Sequence, residues 1–240
     1  MGSCWSSVSN ARTTKDVDLR VIGSPDDVLA KLQQAARLDL GDFLAFEVGP
    51  DHEHPNIQNH GIQYDGMRFR SECLLPGKLF GDPFGVDVAF GDPILDEPEV
   101  MTADDILGFA GIAPPKLRLY PVETHIAEKL PAYTMPRARP NSRVKDLPDI
   151  ALLAGTKAIE AERLCAALEQ TFAFRKTHHL PMSLPAPLDA WERPYAAMAR
   201  ADRLPWPTLI DVTNAAKAFL DPVLEGGLSA TWDPSARQWR

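Results

Sequence analysis

The first half of the chain alternates between apolar and polar residues in short stretches. Residues 16–22, DVDLRVI, place three aliphatic side chains on one face and charged side chains on the other, which is the period-2 pattern of a half-buried strand. Similar stretches at 42–49, 62–75 and 78–91 are interrupted by Gly and Pro and predict further strands. Short connections between them favour a mostly antiparallel or mixed sheet.

A helix is predicted directly after the first strand. Ser24 is a suitable N-cap, Pro25 suits the first helical position, and two aspartates follow, where they interact favourably with the helix dipole. Aliphatic residues then recur at helical spacing up to about Leu40. We therefore predict that residues 1–115 form one domain, with a small sheet and one or two helices.

The pattern changes to helical spacing in the second half. Helices are predicted at 122–130, 144–154, 156–172, 187–200 and 208–224, separated by loops that contain proline. Residues 116–240 should therefore form an α-helical domain, and the whole chain belongs to the α+β class.

Composition narrows the classes of protein that are possible. The 240 residues are 45% hydrophobic and 24% charged, as in ordinary globular proteins. No apolar run approaches the roughly 18 residues of a membrane helix, and no secretion signal is evident, so a cytoplasmic protein without membrane contact is expected. Three scattered cysteines argue against a disulfide scaffold or a thiolate zinc site.

The net charge of −8 argues against a general nucleic-acid coat. An anionic substrate would therefore need a local basic patch or bound cations. Four cations lie close together in sequence within this acidic chain: Arg137, Arg139, Arg143 and Lys145. They could hold triphosphate oxygens, with Asp146 and Asp149 orienting them, or they could form salt bridges that join two helices.

Carboxylates in the predicted strands suggest a metal site. Asp16 and Asp18 are two residues apart, so a strand would present both on one side, about 6.5 to 7 Å apart. Such a pair can bind Mg²⁺, which prefers hard oxygen ligands. Asp87, within the apolar run GVDVAF, would complete a three-carboxylate cluster if its strand lies beside the first. The alternatives are a solvated strand face for the pair and a buried structural aspartate for Asp87.

Four segments together resemble a known family. RTTKDVDL, GVDVAFGD, ETHIAEKL and NSRVKDLPDIALL, in this order across roughly residues 10–155, resemble the AbiEii/AbiGii-type nucleotidyltransferases, which are toxins of bacterial toxin–antitoxin and phage-defence systems. The resemblance implies a polymerase-β-like nucleotidyltransferase domain with a mixed sheet, followed by a helical domain. It also implies Mg²⁺-dependent transfer of a nucleotide from an NTP to RNA, which for several family members is the 3′ end of tRNA. Inhibition of translation and growth, and control by a cognate antitoxin, are implied as well.

The resemblance also assigns roles to residues, position by position. Metal ligands would be Asp16, Asp18 and Asp87. Lys129, in the E-K pair of the third segment, would contact the triphosphate, and Asp146, in the K-D pair of the fourth, would be an essential acidic residue of the same site. Arg143 and Lys145 would bind the nucleotide beside it.

The family carries a Gly-Gly or Gly-Ser turn before the D-x-D pair, whose backbone amides and hydroxyl hold phosphate. Gly2-Ser3 stands at a matching distance, so Ser3 is predicted to bind nucleotide. The apolar segment expected before this turn is absent from the sequence. Either the start of the protein is missing, or Gly2-Ser3 is an artificial addition, or the phosphate pocket is degraded. Two alternatives stay open: a catalytically impaired interaction protein of the same fold, and a nucleotidyltransferase that modifies small molecules of the antibiotic type.

Overall fold

A computed structural model describes residues 16–21, 24–53, 55, 66–90, 97–105, 108–136 and 143–240. The described residues divide into two compact units. The N-terminal unit contains residues 16–90 and 99–119, and the C-terminal unit contains residues 120–240 together with Glu97 and Pro98. The predicted boundary after residue 115 stays a prediction, and the division between the units falls after Leu119.

A five-stranded mixed sheet forms the N-terminal unit. Its strands are β1 (Asp16–Arg20), β2 (Ala45–Pro50), β3 (Gly66–Leu75), β4 (Lys78–Leu79) and β5 (Phe84–Ala89). The order is β1-β5-β3-β2, with β4 paired to β3. β1 runs parallel to β5, whereas β3 is antiparallel to each of its partners. The sheet is therefore mixed, as the sequence predicted.

One face of this sheet packs against the helix α1 (Val28–Ala36), which follows a 3₁₀ turn at Pro25–Asp27. Ser24 caps that turn as predicted, because its hydroxyl accepts a hydrogen bond from the Asp26 amide at 3.3 Å. The core between helix and sheet is centred on Val28, Phe69 and Val88. Apolar and polar residues alternate along β1 and β5. The apolar residues therefore lie on the buried face of the sheet, and the polar residues lie on the opposite face.

The helix α1 ends four residues before the predicted end near Leu40. Leu38 and Leu40 are 63% and 61% exposed, so the apolar surface that suggested a longer helix has no core to pack against. The Asp39 carboxylate instead accepts a hydrogen bond from the Gly41 amide at 2.8 Å, and Gly41 has φ +73°. This local turn competes with helical backbone.

The N-terminal unit also contains a two-stranded antiparallel pair, β6 (Glu99–Thr102) and β7 (Lys116–Leu119). The sequence did not predict these strands. Each has only four residues, too few to establish a clear alternating pattern.

The C-terminal unit is mainly helical. Its helices are α2 (Val122–Thr134), α3 (Asp146–Leu153), α4 (Ala161–Arg175), α5 (Glu192–Ala201) and α6 (Leu209–Leu224). All five correspond to predicted helices, and Thr208 closes the start of α6 in a capping box with Asp211. A short 3₁₀ turn, Arg143–Lys145, leads into α3.

The predicted start of the fourth helix of the chain is wrong. Residues 159–160 do not begin α4 but form β8 (Ile159–Glu160), which pairs with β9 (Thr231–Asp233), and β9 pairs in turn with β10 (Gln238–Trp239). Trp232 is buried against Phe219, with ring centroids 5.0 Å apart. A contact across more than seventy residues therefore determines where the helix begins.

The described chain has an α+β fold with a mixed sheet and six α-helices. Among its described residues, no helix combines the length and the apolar character that crossing a membrane requires.

Candidate functional site

Three residues lie in one row across the polar face of the N-terminal sheet. Two of them were predicted from the sequence, and the third is newly identified. Asp18 of β1 lies opposite Asp87 of β5, and Asp87 lies opposite Arg68 of β3. Paired residues on adjacent strands point to the same face, with strands about 4.8 Å apart. Asp18, Asp87 and Arg68 therefore share one face, and the valines on either side of Asp87 turn into the core.

Asp16 occupies the next row of the same face. It pairs with Gly85, and a Cβ atom placed on Gly85 would lie 2.5 Å from Asp16 Oδ1. The carboxylate of Asp16 thus lies over the glycine, in space that any other residue would fill. Asp16, Asp18 and Asp87 form the carboxylate face of the N-terminal unit.

Arg68 binds the third carboxylate directly. Its Nε and Nη2 atoms each donate a hydrogen bond of 2.6 Å to Asp87, one to Oδ1 and one to Oδ2. The pair is partly buried, with 15% of the Asp87 side chain exposed. The bond to Asp87 raises the pKa of Arg68 above its ordinary value, with smaller contributions from Asp16 and Asp51.

The carboxylate face has the donor chemistry that a hard divalent cation requires, since it presents carboxylate oxygens and a glycine cradle for one of them. As they stand, no three His, Cys, Asp or Glu side chains among the described residues converge closely enough to hold a metal ion. The guanidinium of Arg68 already engages both oxygens of Asp87. A cation bound with all three aspartates would therefore compete with Arg68.

A second group of charged residues lies within the C-terminal unit. Lys129 on α2 contacts Asp149 on α3 with an Nζ–Oδ2 distance of 2.9 Å. The exposed fraction is 17% for the lysine side chain and 2% for the aspartate. A carboxylate this deeply buried depends on its partner for compensation, so the pair fixes α2 and α3 at this point.

Asp146 begins α3 and is also buried. Burial raises the pKa of this carboxyl above its usual range, although the positive charges of Lys129 and Arg143 act in the opposite direction. Its Oδ2 atom lies 3.9 Å from Arg143 Nε and accepts no hydrogen bond within the described part of the chain. A buried carboxylate oxygen without a hydrogen bond is costly and is typical of functional sites.

His125 stands one helical turn before Lys129 on α2. Burial, and to a smaller extent the charge of Lys129, lowers its pKa to about 3, while Asp149 acts in the opposite direction. The imidazole is therefore neutral at physiological pH. Glu123, two residues earlier, is buried as well, and its Oε2 atom lacks a hydrogen-bond partner among the described residues.

The structure places the predicted residues in two sets, one per unit. The N-terminal unit holds Asp16 and Asp18 on β1 and Asp87 on the adjacent parallel strand β5. The C-terminal unit holds Lys129, Asp146, Arg143 and Lys145, of which Lys145 is exposed. Ser3, Arg137 and Arg139 lie outside the described residues. The catalytic, metal-binding and nucleotide-binding roles assigned to these residues stay predictions.

Two residues that contact the carboxylate face were not identified from the sequence. Arg68 and Gly85 lie in segments that were predicted to be strands, but their significance depends on which residue stands opposite them. The alternating charges of the segment MRFRSE mark a polar face. Only the register assigns Arg68 rather than Arg70 to Asp87.

Comparisons with known proteins point to one family. The family described as "Nucleotidyl transferase AbiEii toxin, Type IV TA system" matches residues 4–232. No curated protein sequence matches the chain significantly.

Two solved structures are similar at low sequence identity. MenT4, a nucleotidyltransferase toxin from Mycobacterium tuberculosis H37Rv, is 16% identical with a TM-score of 0.47, and the match covers 75% of this chain and 58% of that one. JHP933 from Helicobacter pylori is 13% identical with a TM-score of 0.39, covering 81% of this chain and 77% of that one. The chain thus spans less than two thirds of the length of MenT4.

Proposed function

The chain belongs to the AbiEii nucleotidyltransferase toxin family, and we propose that it is a nucleotidyltransferase that transfers a nucleoside monophosphate from an NTP to RNA. The proposed acceptor is the 3′ end of tRNA, and blocked tRNA would inhibit translation and growth. Family membership implies an NTP substrate and a cognate antitoxin. The finer architecture that we propose is a polymerase-β-like domain followed by a helical domain. We also propose that the protein acts in the cytoplasm.

One observation carries the proposal: Asp18 and Asp87 stand opposite each other on the parallel strands β1 and β5, with Asp16 over Gly85 in the next row. The three carboxylates repel each other, and the ion pair of Arg68 with Asp87 reduces this cost. A divalent cation turns this cost into binding energy, because hard cations take carboxylate oxygens as ligands.

The proposed metal ligands are Asp16 and Asp18, with Asp87 as the third carboxylate. Mg²⁺ held by them would supply positive charge for the phosphate oxygens during transfer. In the reaction, a hydroxyl oxygen of the acceptor forms a bond to the α-phosphorus of the NTP. The bond from that phosphorus to the bridging oxygen breaks, and pyrophosphate leaves.

Residues of the C-terminal unit are proposed to serve the same reaction. Lys129 would bind triphosphate oxygens, and Arg143 and Lys145 would add positive charge for the nucleotide. Asp146 would be an essential acid–base residue. Its support is the buried carboxylate oxygen without a hydrogen bond and the raised pKa, both of which suit proton transfer.

The test uses the purified full chain with total tRNA, Mg²⁺ and each of four α-labelled NTPs in turn. Asp18→Asn is the test variant, because it removes the charge of a proposed ligand without changing its size. Asp82→Asn is the matched control, since Asp82 is exposed in the turn before β5.

Label on tRNA with the parent and with Asp82→Asn, but not with Asp18→Asn, is the expected result. Equal labelling by Asp18→Asn would overturn the metal-site assignment. Labelling of small molecules such as aminoglycosides, with none on RNA, would replace the RNA acceptor by a small-molecule acceptor.

A further inference from the structure

Two arginines occupy the solvent side of α5. Arg193 and Arg200 are seven residues apart, almost two full turns, so they point in nearly the same direction. Tyr195 and Ala199 on the other side of the helix are buried, and both arginines are exposed. The core of the unit and the two arginines therefore lie on opposite sides of α5.

These arginines do not serve the fold through ion pairs. Within the part of the chain that the structure describes, neither Arg193 nor Arg200 has a carboxylate or hydrogen-bond partner, and neither has Arg203, which follows the helix in an exposed left-handed turn at φ 52°. By contrast, Arg68 and Arg240 each pair with an aspartate. Exposed guanidinium groups without an ion-pair partner on one helix face are available to an external anion.

One element that contacts α5 carries an exposed lysine. α5 contacts the 3₁₀ turn Arg143–Lys145, and Lys145 on that turn is exposed. The nearest acidic residues on the helix lie elsewhere: Glu192 is about 100° around the helix from Arg193, and Asp202 follows on the buried side. No carboxylate stands between the two arginines in the helix, and the exposed Asp189 and Glu192 lie at its start.

The charge of the whole chain is divided unequally. Residues 1–119 contain ten Lys and Arg against nineteen Asp and Glu, whereas residues 120–240 contain fifteen against fourteen. The net negative charge therefore belongs to the N-terminal part of the chain. A polyanion approaching the C-terminal unit meets no net repulsion from that unit.

We infer that Arg193 and Arg200, with Arg203 three residues further along the chain, form a surface that binds the phosphate backbone of the RNA acceptor. This inference rests on the proposed function, because it assigns the acceptor to a particular surface. The planar guanidinium matches phosphate oxygens bidentately. Between the two arginines the helix presents Ala196 and Ala197, which let a phosphate backbone approach closely.

An acidic protein partner fits this face less well. Protein interfaces are built around a buried apolar or aromatic centre. The described solvent side of α5 offers only alanine between its arginines, so its contacts are electrostatic, as in binding to nucleic-acid backbones.

The test measures binding of fluorescently labelled total tRNA by anisotropy between 50 and 200 mM KCl, a range of about fourfold in salt. All proteins carry Asp18→Asn, so that no transfer occurs. The test variant is Arg193→Gln/Arg200→Gln, and the matched control is Arg163→Gln/Lys176→Gln, which removes two exposed charges from α4 and its end.

The test variant should bind tRNA about tenfold more weakly at the lower salt concentrations, and its plot of log K against log salt should be less steep by about 2, near one unit for each lost phosphate contact. The control should keep the slope of the parent. If the control loses as much salt slope as the test variant, the effect comes from the overall charge of the protein, and the inference is overturned.

Two further outcomes separate this inference from the proposed function. If the test variant binds tRNA with the affinity and salt slope of the parent, the assignment of this surface to RNA fails. Labelling of tRNA by the chain with Asp18 intact would still support the proposed function. If polyglutamate displaces labelled tRNA as effectively as unlabelled tRNA of equal charge, the face is a site for acidic protein and the inference fails.

Discussion

Arg68 and Asp87 form a two-pronged ion pair across the antiparallel strands β3 and β5, with both nitrogen–oxygen distances at 2.6 Å. On its other side, Asp87 faces Asp18 across the parallel pair of β5 and β1. Asp87 thus stands between a guanidinium and a carboxylate. Arg68 supplies positive charge at the carboxylate face, in competition with a divalent cation that uses Asp87.

Replacing Arg68 should therefore strengthen metal binding. In Arg68→Gln, Asp87 loses the guanidinium that neutralises it. The three carboxylates then attract a divalent ion more strongly. We expect Mn²⁺, used as a spectroscopic substitute for Mg²⁺, to bind about tenfold more tightly, equivalent to about 1.4 kcal/mol. Titration of free Mn²⁺ by electron paramagnetic resonance measures this directly.

Arg70→Gln is the control for Arg68→Gln. Arg70 lies two residues along β3 on the same face, but 61% of its side chain is exposed and its contact with Glu72 is 3.8 Å long. Its replacement should leave Mn²⁺ affinity unchanged. Unchanged or weaker binding in Arg68→Gln would show that Asp87 does not take part in metal binding.

Gly85 should be essential for the position of Asp16. A methyl group at residue 85 would lie 2.5 Å from Asp16 Oδ1, far inside van der Waals contact, so Gly85→Ala must displace that carboxylate. We expect nucleotide transfer and Mn²⁺ affinity to fall by about 10- to 100-fold, as for other changes that misorient a metal ligand.

Gly49→Ala is the matched control, since Gly49 belongs to the edge strand β2 of the same sheet and a Cβ there meets nothing within 4 Å. It should bind Mn²⁺ like the parent. Normal Mn²⁺ binding by a folded Gly85→Ala protein would mean that Asp16 is not a ligand.

The alternating pattern of β1 and β5 predicted both the strands and the polar face that carries the aspartates. The reason is physical: burial of one face imposes a period of two that is visible in a single segment. The roles of Arg68 and Gly85 were not predictable in this way. They depend on strand register, which places Gly85 opposite Asp16, more than sixty positions earlier in the chain, and Arg68 opposite Asp87.

The same distinction explains the C-terminal unit. The five helices were predicted from local periodicity, whereas the capping box of Thr208 and Asp211 at the start of α6 was not singled out from the sequence. The predicted start of α4 was wrong because residues 159–160 form the strand β8, which pairs with β9 near the end of the chain. Likewise, Lys129 and Asp149 were both singled out from the sequence, but their direct contact follows from the packing of α2 on α3.

Asp146→Asn should stabilise the protein at neutral pH and abolish its activity. Burial raises the pKa of Asp146, so the folded state binds a proton at pH values where the unfolded state has lost it. The free energy of unfolding therefore falls as pH rises from near 3.8 through this raised pKa. Asparagine removes that cost, and chemical denaturation at pH 7 should show higher stability.

The gain from Asp146→Asn should disappear at acidic pH, where the parent carboxyl is protonated. Transfer activity should fall by about 100-fold or more if Asp146 moves a proton. Asp149→Asn is the contrasting variant, because it removes the partner of Lys129 and should lower stability. A loss of stability in Asp146→Asn at pH 7 would contradict the assigned cost of its charge.

His125 should make the protein sensitive to acid. The unfolded state protonates this histidine below about 6.5, whereas the folded state resists protonation until about 3. The unfolded state binds more protons in this window, so stability falls as pH decreases through it. In His125→Gln the decline should be shallower by up to about 1.4 kcal/mol per pH unit.

Urea denaturation at several pH values between 3.5 and 6.5 checks the His125 prediction, over a range of roughly three pH units. His179→Gln is the control, because His179 is exposed in the same unit and its replacement should leave the pH slope unchanged. Equal slopes for the parent and His125→Gln would mean that His125 is protonated in the folded protein near its ordinary pKa.

The pair of Lys129 and Asp149 allows stability and catalysis to be separated. Lys129→Met leaves the Asp149 carboxylate, 2% exposed, without its cation, and should cost about 3 to 5 kcal/mol of stability. The double variant Lys129→Met/Asp149→Asn removes both charges and should recover most of that loss, as measured by chemical denaturation. Because Lys129 is proposed to bind the triphosphate, the double variant should nevertheless bind NTP more weakly, by about 1.5 to 3 kcal/mol. A stable double variant with normal NTP affinity would restrict Lys129 to a structural role.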